Sequence, residues 1–237
     1  MSISNFFYSP DIGGHFHTLN KDDSGHLGRV LRIQKGEKVF VSNGKGTIYE
    51  CIVADPDPNN CRLEIIHEKT GDDHRDFILQ VAIAPTKNIS RFEWFLEKCT
   101  EMGIDIISPI LSEHSERKVI KPERLKRVLT AAVKQSLKSF HPVLETLVDF
   151  DTFIKKPFSG QKFIAYVDEQ VEDELFHICK PHMDALILIG PEGDFSREEI
   201  SQAKAHGFIP VKLGPSRLRT ETAGVVACHT VHLVNFS

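Results

Sequence analysis

The sequence lacks the features that mark membrane, secreted and zinc-binding proteins. Its 237 residues contain no apolar run long enough to span a bilayer, and the N-terminus carries no basic segment followed by an apolar one. The five cysteines are scattered along the chain, and none forms a C-x-x-C pair. We therefore expect a cytoplasmic protein with reduced thiols, no membrane association and no structural zinc.

Three common enzyme motifs are also missing. There is no G-x-G-x-x-G, no G-x-x-x-x-G-K-[ST] and no G-x-S-x-G, so the usual forms of dinucleotide binding, P-loop hydrolysis and Ser-nucleophile chemistry lose support. His15 and His17 form an H-x-H pair without carboxylate or cysteine partners at ligand spacing. We interpret both histidines as polar surface groups and expect no metal ion.

The overall charge is acidic, but two stretches are basic. The formal net charge is -4, which argues weakly against a nucleic-acid partner. Residues 29–45 nevertheless carry five cationic side chains against one acid, and residues 113–138 carry eight against three. Each stretch is either part of a phosphate-binding face or an ordinary solvated helix or loop.

The composition changes at the polar, turn-forming residues 70–75. Residues 1–72 are β-rich: Lys38–Ser42 and residues 47–53 are strand candidates joined by an Asn-Gly turn. This pattern predicts a small β domain, barrel-like in form. In residues 73–237 strands and helices alternate, which predicts an α/β domain with a largely parallel sheet. A helix capped by Ser90 and Glu93 is expected near the start of that domain.

Residues 185–223 contain two strands, each followed by a glycine turn and a helix. The first strand, Ala185–Ile189, is apolar throughout, as in strands that are buried on both faces. After its turn, Ser196 and Glu199 form a capping box that predicts a helix ending near His206. The second strand is expected over residues 209–213. The last helix is expected to begin near Thr220 or Thr222. Its apolar stripe at helical spacing consists of Ala223, Val226, Ala227, Thr230, Val231 and Val234.

The two glycine turns predict a small-molecule site. The first is Gly190-Pro-Glu-Gly193, and the second begins with Gly214-Pro215. Ligands of open α/β sheets bind in the crevice beyond the carboxyl ends of the strands, where both turns lie.

Residues 190–196 (GPEGDFS) and 213–223 (LGPSRLRTETA) resemble the signatures of SPOUT-class methyltransferases. More narrowly, they resemble those of the bacterial 16S ribosomal RNA uracil-N3 methyltransferase family. Four further blocks, in the same order along the chain, resemble that family as well: residues 26–32, 97–103, 114–117 and 131–136. The resemblance therefore covers nearly the whole sequence.

The resemblance implies the following organisation and activity. Residues 1–72 would be a PUA-like RNA-binding β-barrel domain, and residues 73–237 a trefoil-knotted, parallel-sheet SPOUT domain that binds S-adenosylmethionine. The protein would work as a homodimer, without a metal, on 16S ribosomal RNA of the small ribosomal subunit. Two alternatives stay open: methylation of another RNA or another base atom, and a noncatalytic RNA-binding or ribosome assembly factor with the same fold.

The resemblance also identifies candidate site residues. The N3 proton of uracil must leave before N3 can accept a methyl group, so a base or a charge-stabilising cation is needed. We expect Arg219 to stabilise the negative charge, with Arg217 as a second candidate, and Glu221 to accept a proton or orient an arginine. A surface ion pair for Arg219 and a helix-dipole partner for Glu221 are the structural alternatives. The expected donor-binding residues are Pro85, Ile189, Gly190, Glu192, Gly193, Leu213, Gly214 and Leu218, and the expected RNA contacts are Arg29, Arg32 and Arg117.

Several positions depart from the family pattern. Asp194 stands in place of the second glycine of a pair, which adds a carboxylate near the donor site. Ser216 precedes Arg217, so a basic side chain is shifted by one place. Lys134 and Lys138 occupy positions where an acidic residue and an arginine are more usual, which predicts an altered RNA contact.

Overall fold

The computed structural model describes residues 5–168 and 171–236. The chain forms two compact units: the first comprises Met1–His74 and Thr130–His141, and the second comprises Arg75–Leu129 and Pro142–Ser237. Within the described residues, no helix is both long enough and apolar enough to cross a lipid bilayer.

The first unit is built on a five-stranded mixed sheet. Its strands follow the order β1-β3-β4-β5-β2, in which β1 and β3 are parallel and the other pairs antiparallel. A short helix, α1, continues directly into a π-helical turn at His26–Leu31. The elements are β1 Phe6–Tyr8, β2 Phe16–Thr18, α1 Lys21–Gly25, β3 Lys38–Ser42, β4 Thr47–Asp55 and β5 Arg62–Thr70.

The predicted Asn-Gly turn joins β3 to β4. Gly44 and Gly46 have φ values of 70° and 96°, in the left-handed region that favours glycine. The Asn43 side-chain oxygen accepts hydrogen bonds from the backbone N–H groups of Lys45 and Thr47 at 2.8 and 3.1 Å. The turn prediction is confirmed, and β4 continues two residues beyond the predicted end at residue 53.

The second unit contains a seven-stranded sheet in which every strand pair is parallel. Its order is β12-β10-β11-β6-β7-β8, and β9 also pairs with β7. The predicted parallel α/β arrangement is confirmed. The elements are β6 Leu79–Ile83, α2 Ile89–Met102, β7 Ile106–Leu111, α3 Pro122–Gln135 (which enters the first unit at Thr130), β8 Val143–Leu144, β9 Val148–Asp149, α4 Phe150–Ile154, β10 Gln161–Ala165, α5 Leu175–Ile178, β11 Ala185–Ile189, α6 Arg197–Ala205, β12 Ile209–Val211 and α7 Thr220–Phe236.

Strand register brings the two glycine turns to the same edge of the sheet. β10 lies between β11 and β12, and its last residue, Ala165, pairs with Ile189 on one side and Val211 on the other. All five residues of β11 are buried, which explains its continuous apolar sequence. The loops that follow β10, β11 and β12 therefore start side by side.

Two local predictions are corrected by the structure. Ser90 is not the N-cap of α2; Asn88 is, and its side-chain oxygen accepts the backbone N–H of Ser90 at 3.1 Å. Glu93 instead accepts a hydrogen bond from Arg124 Nη2 at 2.8 Å. An asparagine caps a helix as well as a serine does, so the Ser-x-x-Glu spacing identified the right helix and the wrong first residue. The predicted strand over residues 209–213 ends at Val211.

Helix α7 packs against α2 through a glycine. It begins at Thr220, as predicted, and Ala227, Val231 and Val234 on its predicted apolar stripe are buried. A Cβ placed on Gly224 would lie 2.5 Å from Cε2 of Phe95 and 3.0 Å from Cδ1 of Ile83. The two helices can approach this closely only because residue 224 has no side chain.

Gly224→Ala should therefore lower the free energy of unfolding by about 1–3 kcal/mol, the usual effect of overpacking a core. Alanine gains about 1 kcal/mol of helix propensity over glycine, so the net loss should fall at the lower end of that range. Chemical denaturation measures the change. His229→Ala, at an exposed position of the same helix, is the control and should change stability little. A Gly224→Ala protein as stable as the unmodified one would contradict the close approach.

Candidate active site

A cavity of about 510 Å³ opens at the carboxyl edge of the parallel sheet. Its volume lies within the roughly 300–1,000 Å³ range of small-molecule sites. The lining comes from the ends of β10, β11 and β12, the loops that follow them and the first turn of α7: residues 165–168, 189–192, 194, 211–220 and 223. The small-molecule site expected from the two turns therefore corresponds to a real cavity.

Two glycines shape the cavity wall. A Cβ on Gly190 would lie 3.2 Å from the Phe195 ring and backbone nitrogen, so a side chain there would push Phe195 away by a few tenths of an ångström. Gly214 has a φ of 102°, which side-chain-bearing residues rarely adopt. At these two positions the turns therefore present backbone to a ligand, without an intervening side chain.

The capping box predicted for α6 is present, and its glutamate also holds the loop after β7. Ser196 Oγ accepts the Glu199 N–H at 3.3 Å, and Glu199 Oε2 accepts the Ser196 N–H at 2.9 Å. The other oxygen of the buried Glu199 carboxylate accepts the N–H of Glu113 at 2.8 Å. One carboxylate thus fixes both the first turn of α6 and the loop after β7.

Charged side chains also hold the loop between β6 and α2. Glu192 Oε1 accepts the backbone N–H of Lys87 at 2.9 Å. Arg117, an expected RNA contact, donates from Nε to the carbonyl of Thr86 at 2.9 Å and from Nη2 to the carbonyl of Lys87 at 2.6 Å. Arg117 therefore serves as a clamp on backbone carbonyls in this structure.

Six of the eight expected donor-binding residues line the cavity: Ile189, Gly190, Glu192, Leu213, Gly214 and Leu218. Pro85 and Gly193 lie outside the lining among the described residues. Gly193 faces His114 instead, whose Cβ would be 3.0 Å from a Cβ at that position.

The expected catalytic residues separate into two environments. Arg217 and Arg219 are exposed and line the cavity. Glu221 is buried, with 8% of its side chain exposed, and Oε1 lies 3.7 Å from Nε of Arg91 on α2. Its Oε2 is buried without a hydrogen-bond partner among the described residues. Glu221 thus lies beside Arg91, an arginine that the sequence motifs did not indicate.

The expected RNA contacts Arg29 and Arg32 belong to the first unit. Both side chains are exposed, and Arg29 Nη2 lies 3.5 Å from the Asn59 side-chain oxygen. Arg32 ends the π-helical turn with a left-handed φ of 55°. Their exposure leaves both guanidinium groups accessible to a phosphate backbone.

Other side chains of the first unit have structural partners. Lys134 forms an ion pair with the buried Asp23. The lysine that stands where the family usually has an acidic residue therefore has a partner inside the first unit. His17 is buried, and its Nε2 lies 2.9 Å from Ser9 Oγ. The expectation that His17 lies on the surface is wrong, because a hydroxyl satisfies the ring inside the unit. His15 is exposed, 3.5 Å from Glu64.

The structure adds lining residues that sequence reasoning missed: Tyr166, Val167, Asp168 and Lys212. The first three follow β10, whose end was not recognised as part of the site because no glycine turn or other motif follows it. Strand order alone reveals it.

Comparison with known proteins gives consistent matches over both units. A family model described as an RNA methyltransferase domain matches residues 74–232, and one described as an RNA methyltransferase PUA domain matches residues 19–66. The chain is 32% identical over 242 residues to the Ribosomal RNA small subunit methyltransferase E of Aquifex aeolicus, covering 97% of this chain and 99% of that protein.

Two solved structures show the same fold over almost the entire chain. A probable rRNA-methyltransferase from Porphyromonas gingivalis has 42% identity and a TM-score of 0.91, with coverage of 98% of this chain and 99% of that one. A Ribosomal RNA small subunit methyltransferase E from Neisseria gonorrhoeae bound to S-adenosyl methionine has 25% identity and a TM-score of 0.88, with 98% coverage of both chains. These matches confirm the predicted fold class, a PUA-like β domain followed by a SPOUT-type α/β domain.

His114, beside the first glycine turn, should titrate above the ordinary histidine value of about 6.5. Its Nδ1 donates to the carbonyl of Asp194 at 3.0 Å, and this bond raises its pKa, with the charges of Glu113 and Glu199 adding to the effect. The stabilisation is complete below the pKa of the unfolded chain and is lost as pH rises through the higher, folded-state pKa. NMR titration of the ring protons measures it. A midpoint no higher than that of His114 in a peptide spanning residues 110–118 would contradict the assignment.

Proposed function

We propose that this chain, which belongs to the RNA methyltransferase family that includes the Ribosomal RNA small subunit methyltransferase E proteins, methylates N3 of a uridine in 16S ribosomal RNA. As a member of that family it is an S-adenosylmethionine-dependent methyltransferase of small-subunit ribosomal RNA. The observation that carries the proposal is the cavity between the two glycine turns, with Arg217 and Arg219 exposed on its lining.

The residues of the cavity suit the methyl donor. Gly190 and Gly214 allow a ligand to approach the backbone, and the N–H and C=O groups of Ile189, Leu213 and Leu218 are suitable partners for an adenine ring. When bound, S-adenosylmethionine supplies a methyl group on a positively charged sulfur. We assign direct donor contact to the six expected residues that line the cavity and leave Pro85 and Gly193 at its border.

The reaction requires a proton to leave uracil N3. As the N3–carbon bond forms and the sulfur–carbon bond breaks, the imide loses its proton and negative charge develops on the uracil oxygens. We assign stabilisation of this charge to Arg219, with Arg217 as the second candidate, because both guanidinium groups are exposed on the cavity wall. In-line placement of the methyl donor and the uracil N3 supplies much of the remaining rate enhancement.

Glu221 is better suited to orienting an arginine than to direct contact with the base. It is buried outside the cavity lining, and its carboxylate lies beside Arg91. We therefore assign Glu221 and Arg91 as a positioning pair between α7 and α2.

RNA binding is assigned to the first unit. Arg29 and Arg32 are exposed cations in the part of the chain that matches the PUA model. Arg117 is assigned to holding the loop after β6, because its guanidinium already donates to two carbonyls. The homodimer and the trefoil knot stay predictions from the family resemblance, and the cytoplasmic location stays a prediction from the composition.

The proposal is tested with purified protein, labelled S-adenosylmethionine and small ribosomal subunits that lack the modification. The expected product is 3-methyluridine at a single site of 16S ribosomal RNA, identified by mass spectrometry of the nucleosides. Label in a different nucleoside or a different RNA would replace the proposed substrate. Donor binding without transfer to subunits, free ribosomal RNA or transfer RNA would favour the noncatalytic alternative.

Arg219→Ala should lower kcat by about 10²–10³-fold, the usual effect of removing one group that stabilises transition-state charge. Donor affinity, measured by calorimetry, should change much less, since the donor is held mainly by backbone groups. Arg197→Ala removes an exposed arginine of α6 outside the lining and serves as the matched control. Full turnover by the Arg219→Ala protein would remove Arg219 from the mechanism.

The double variant Arg29→Ala, Arg32→Ala should bind RNA more weakly at low salt. The slope of log K against log salt should become shallower by about 1–2, as expected when two phosphate contacts are lost. Lys180→Ala, an exposed cation of the second unit, is the control. An unchanged slope would show that neither arginine contacts phosphate.

A further inference from the structure

We propose that the Asp194 carboxylate is a positioning residue that holds the cavity wall at residues 166–168 in the arrangement that accepts the methyl donor. This inference rests on the proposed function and deepens it. It assigns to one side chain the task of ordering a wall that neither glycine turn forms.

The backbone of Asp194 is itself held in an unusual conformation. Its φ is 63°, in the left-handed region that few residues other than glycine, asparagine and aspartate adopt. Its N–H donates to the carbonyl of Pro191 at 3.0 Å, which closes the first glycine turn. Its carbonyl accepts the Nδ1 hydrogen of His114, on the loop after β7. These backbone hydrogen bonds fix the position of Asp194 independently of its side chain.

The two carboxylate oxygens of Asp194 hold two different segments. Oδ1 accepts the N–H of Phe195 at 2.8 Å, within the same turn. Oδ2 accepts the N–H of Val167 at 3.1 Å, on the loop after β10. A carboxylate can do both because it offers two acceptor oxygens, each with two lone pairs. Asp194 thus links the loops that follow two neighbouring strands.

The segment that Asp194 holds forms part of the cavity wall. β10 ends at Ala165, so Val167 lies beyond the sheet ladder. Val167 is 67% exposed, although it lines the cavity together with Tyr166 and Asp168. Tyr166 packs against a buried hydrophobic cluster, whereas the exposed Val167 is connected to the first glycine turn by the hydrogen bond from its backbone N–H to Asp194.

Ordering this wall in advance should strengthen donor binding. A loop that becomes ordered only when a ligand arrives subtracts its entropy loss from the binding free energy. The other acid of the turn, Glu192, is engaged elsewhere because its Oε1 accepts the Lys87 N–H. The two acids therefore hold different sides of the cavity, Glu192 the loop after β6 and Asp194 the loop after β10.

Asp194→Gly is the informative variant. Glycine adopts a φ of 63° without strain, so it removes both hydrogen bonds and leaves the backbone conformation available. Alanine would add strain at this φ and confuse the result. Asp194→Asn tolerates the same φ and keeps one acceptor oxygen, which makes it the conservative rescue. Glu198→Gln removes one exposed carboxylate from the first turn of α6, outside the lining, and is the control.

The first readout needs no donor. In the Asp194→Gly protein the Val167 amide should exchange its hydrogen about 2–10-fold faster, the factor that corresponds to one ordinary hydrogen bond. Asp194→Asn should exchange at an intermediate rate, and Glu198→Gln at the rate of the unmodified protein. Exchange of Val167 that is the same in all four proteins would overturn the proposal.

The second readout is donor binding by calorimetry. Asp194→Gly should raise Kd for S-adenosylmethionine by about 3–10-fold, a share of the loop-ordering cost. KM for the donor should rise by a larger factor than kcat falls. Equal donor affinity in Asp194→Gly and the unmodified protein would overturn this inference alone. No donor binding by the unmodified protein would contradict the proposed function instead, so the two failures can be told apart.

Discussion

The parallel pairing of β10 with β11 and β12 is the constraint on which the candidate site depends. Hydrogen bonding along these ladders sets Ala165 beside both Ile189 and Val211, so three loops begin at one edge of the sheet. The two glycine turns are 24 positions apart in sequence, counted from Gly190 to Gly214. They form one cavity because β10, which comes earlier in the chain, is inserted between the strands that precede them. A shift of one residue in either ladder would turn alternate side chains to the opposite face and misalign the loops.

A second theme is the use of charged side chains to hold backbone. Glu192, Asp194, Glu199 and Arg117 each bond to N–H or C=O groups of a neighbouring loop. Charge-assisted hydrogen bonds of this kind are stronger than neutral ones and are directional. They explain how loops beyond the sheet ladder keep a defined shape around a cavity. Arg217 and Arg219, by contrast, are exposed cations of the lining.

Two errors of sequence interpretation have one physical origin. Local spacing and residue type predict a Ser90 cap and a surface His17, yet the roles of both residues are set by other partners. Asn88 caps α2 in place of Ser90, and the Ser9 hydroxyl satisfies a buried His17. Spacing along one segment identifies an element well but does not reveal which neighbour completes a polar group's hydrogen bonds.

The sequence alone determined the β3–β4 hairpin, β11, the two glycine turns, α6 with its capping box and the family resemblance, because these depend on residues close together in the chain. Apolar periodicity, positive-φ glycines and N-cap chemistry are local properties. The tertiary structure decided that residues 166–168 and Lys212 line the cavity, that Arg117 clamps a loop, and that Asp194 links two loops. Those outcomes depend on strand order and register, which bring distant residues together through long-range pairing that no local pattern specifies.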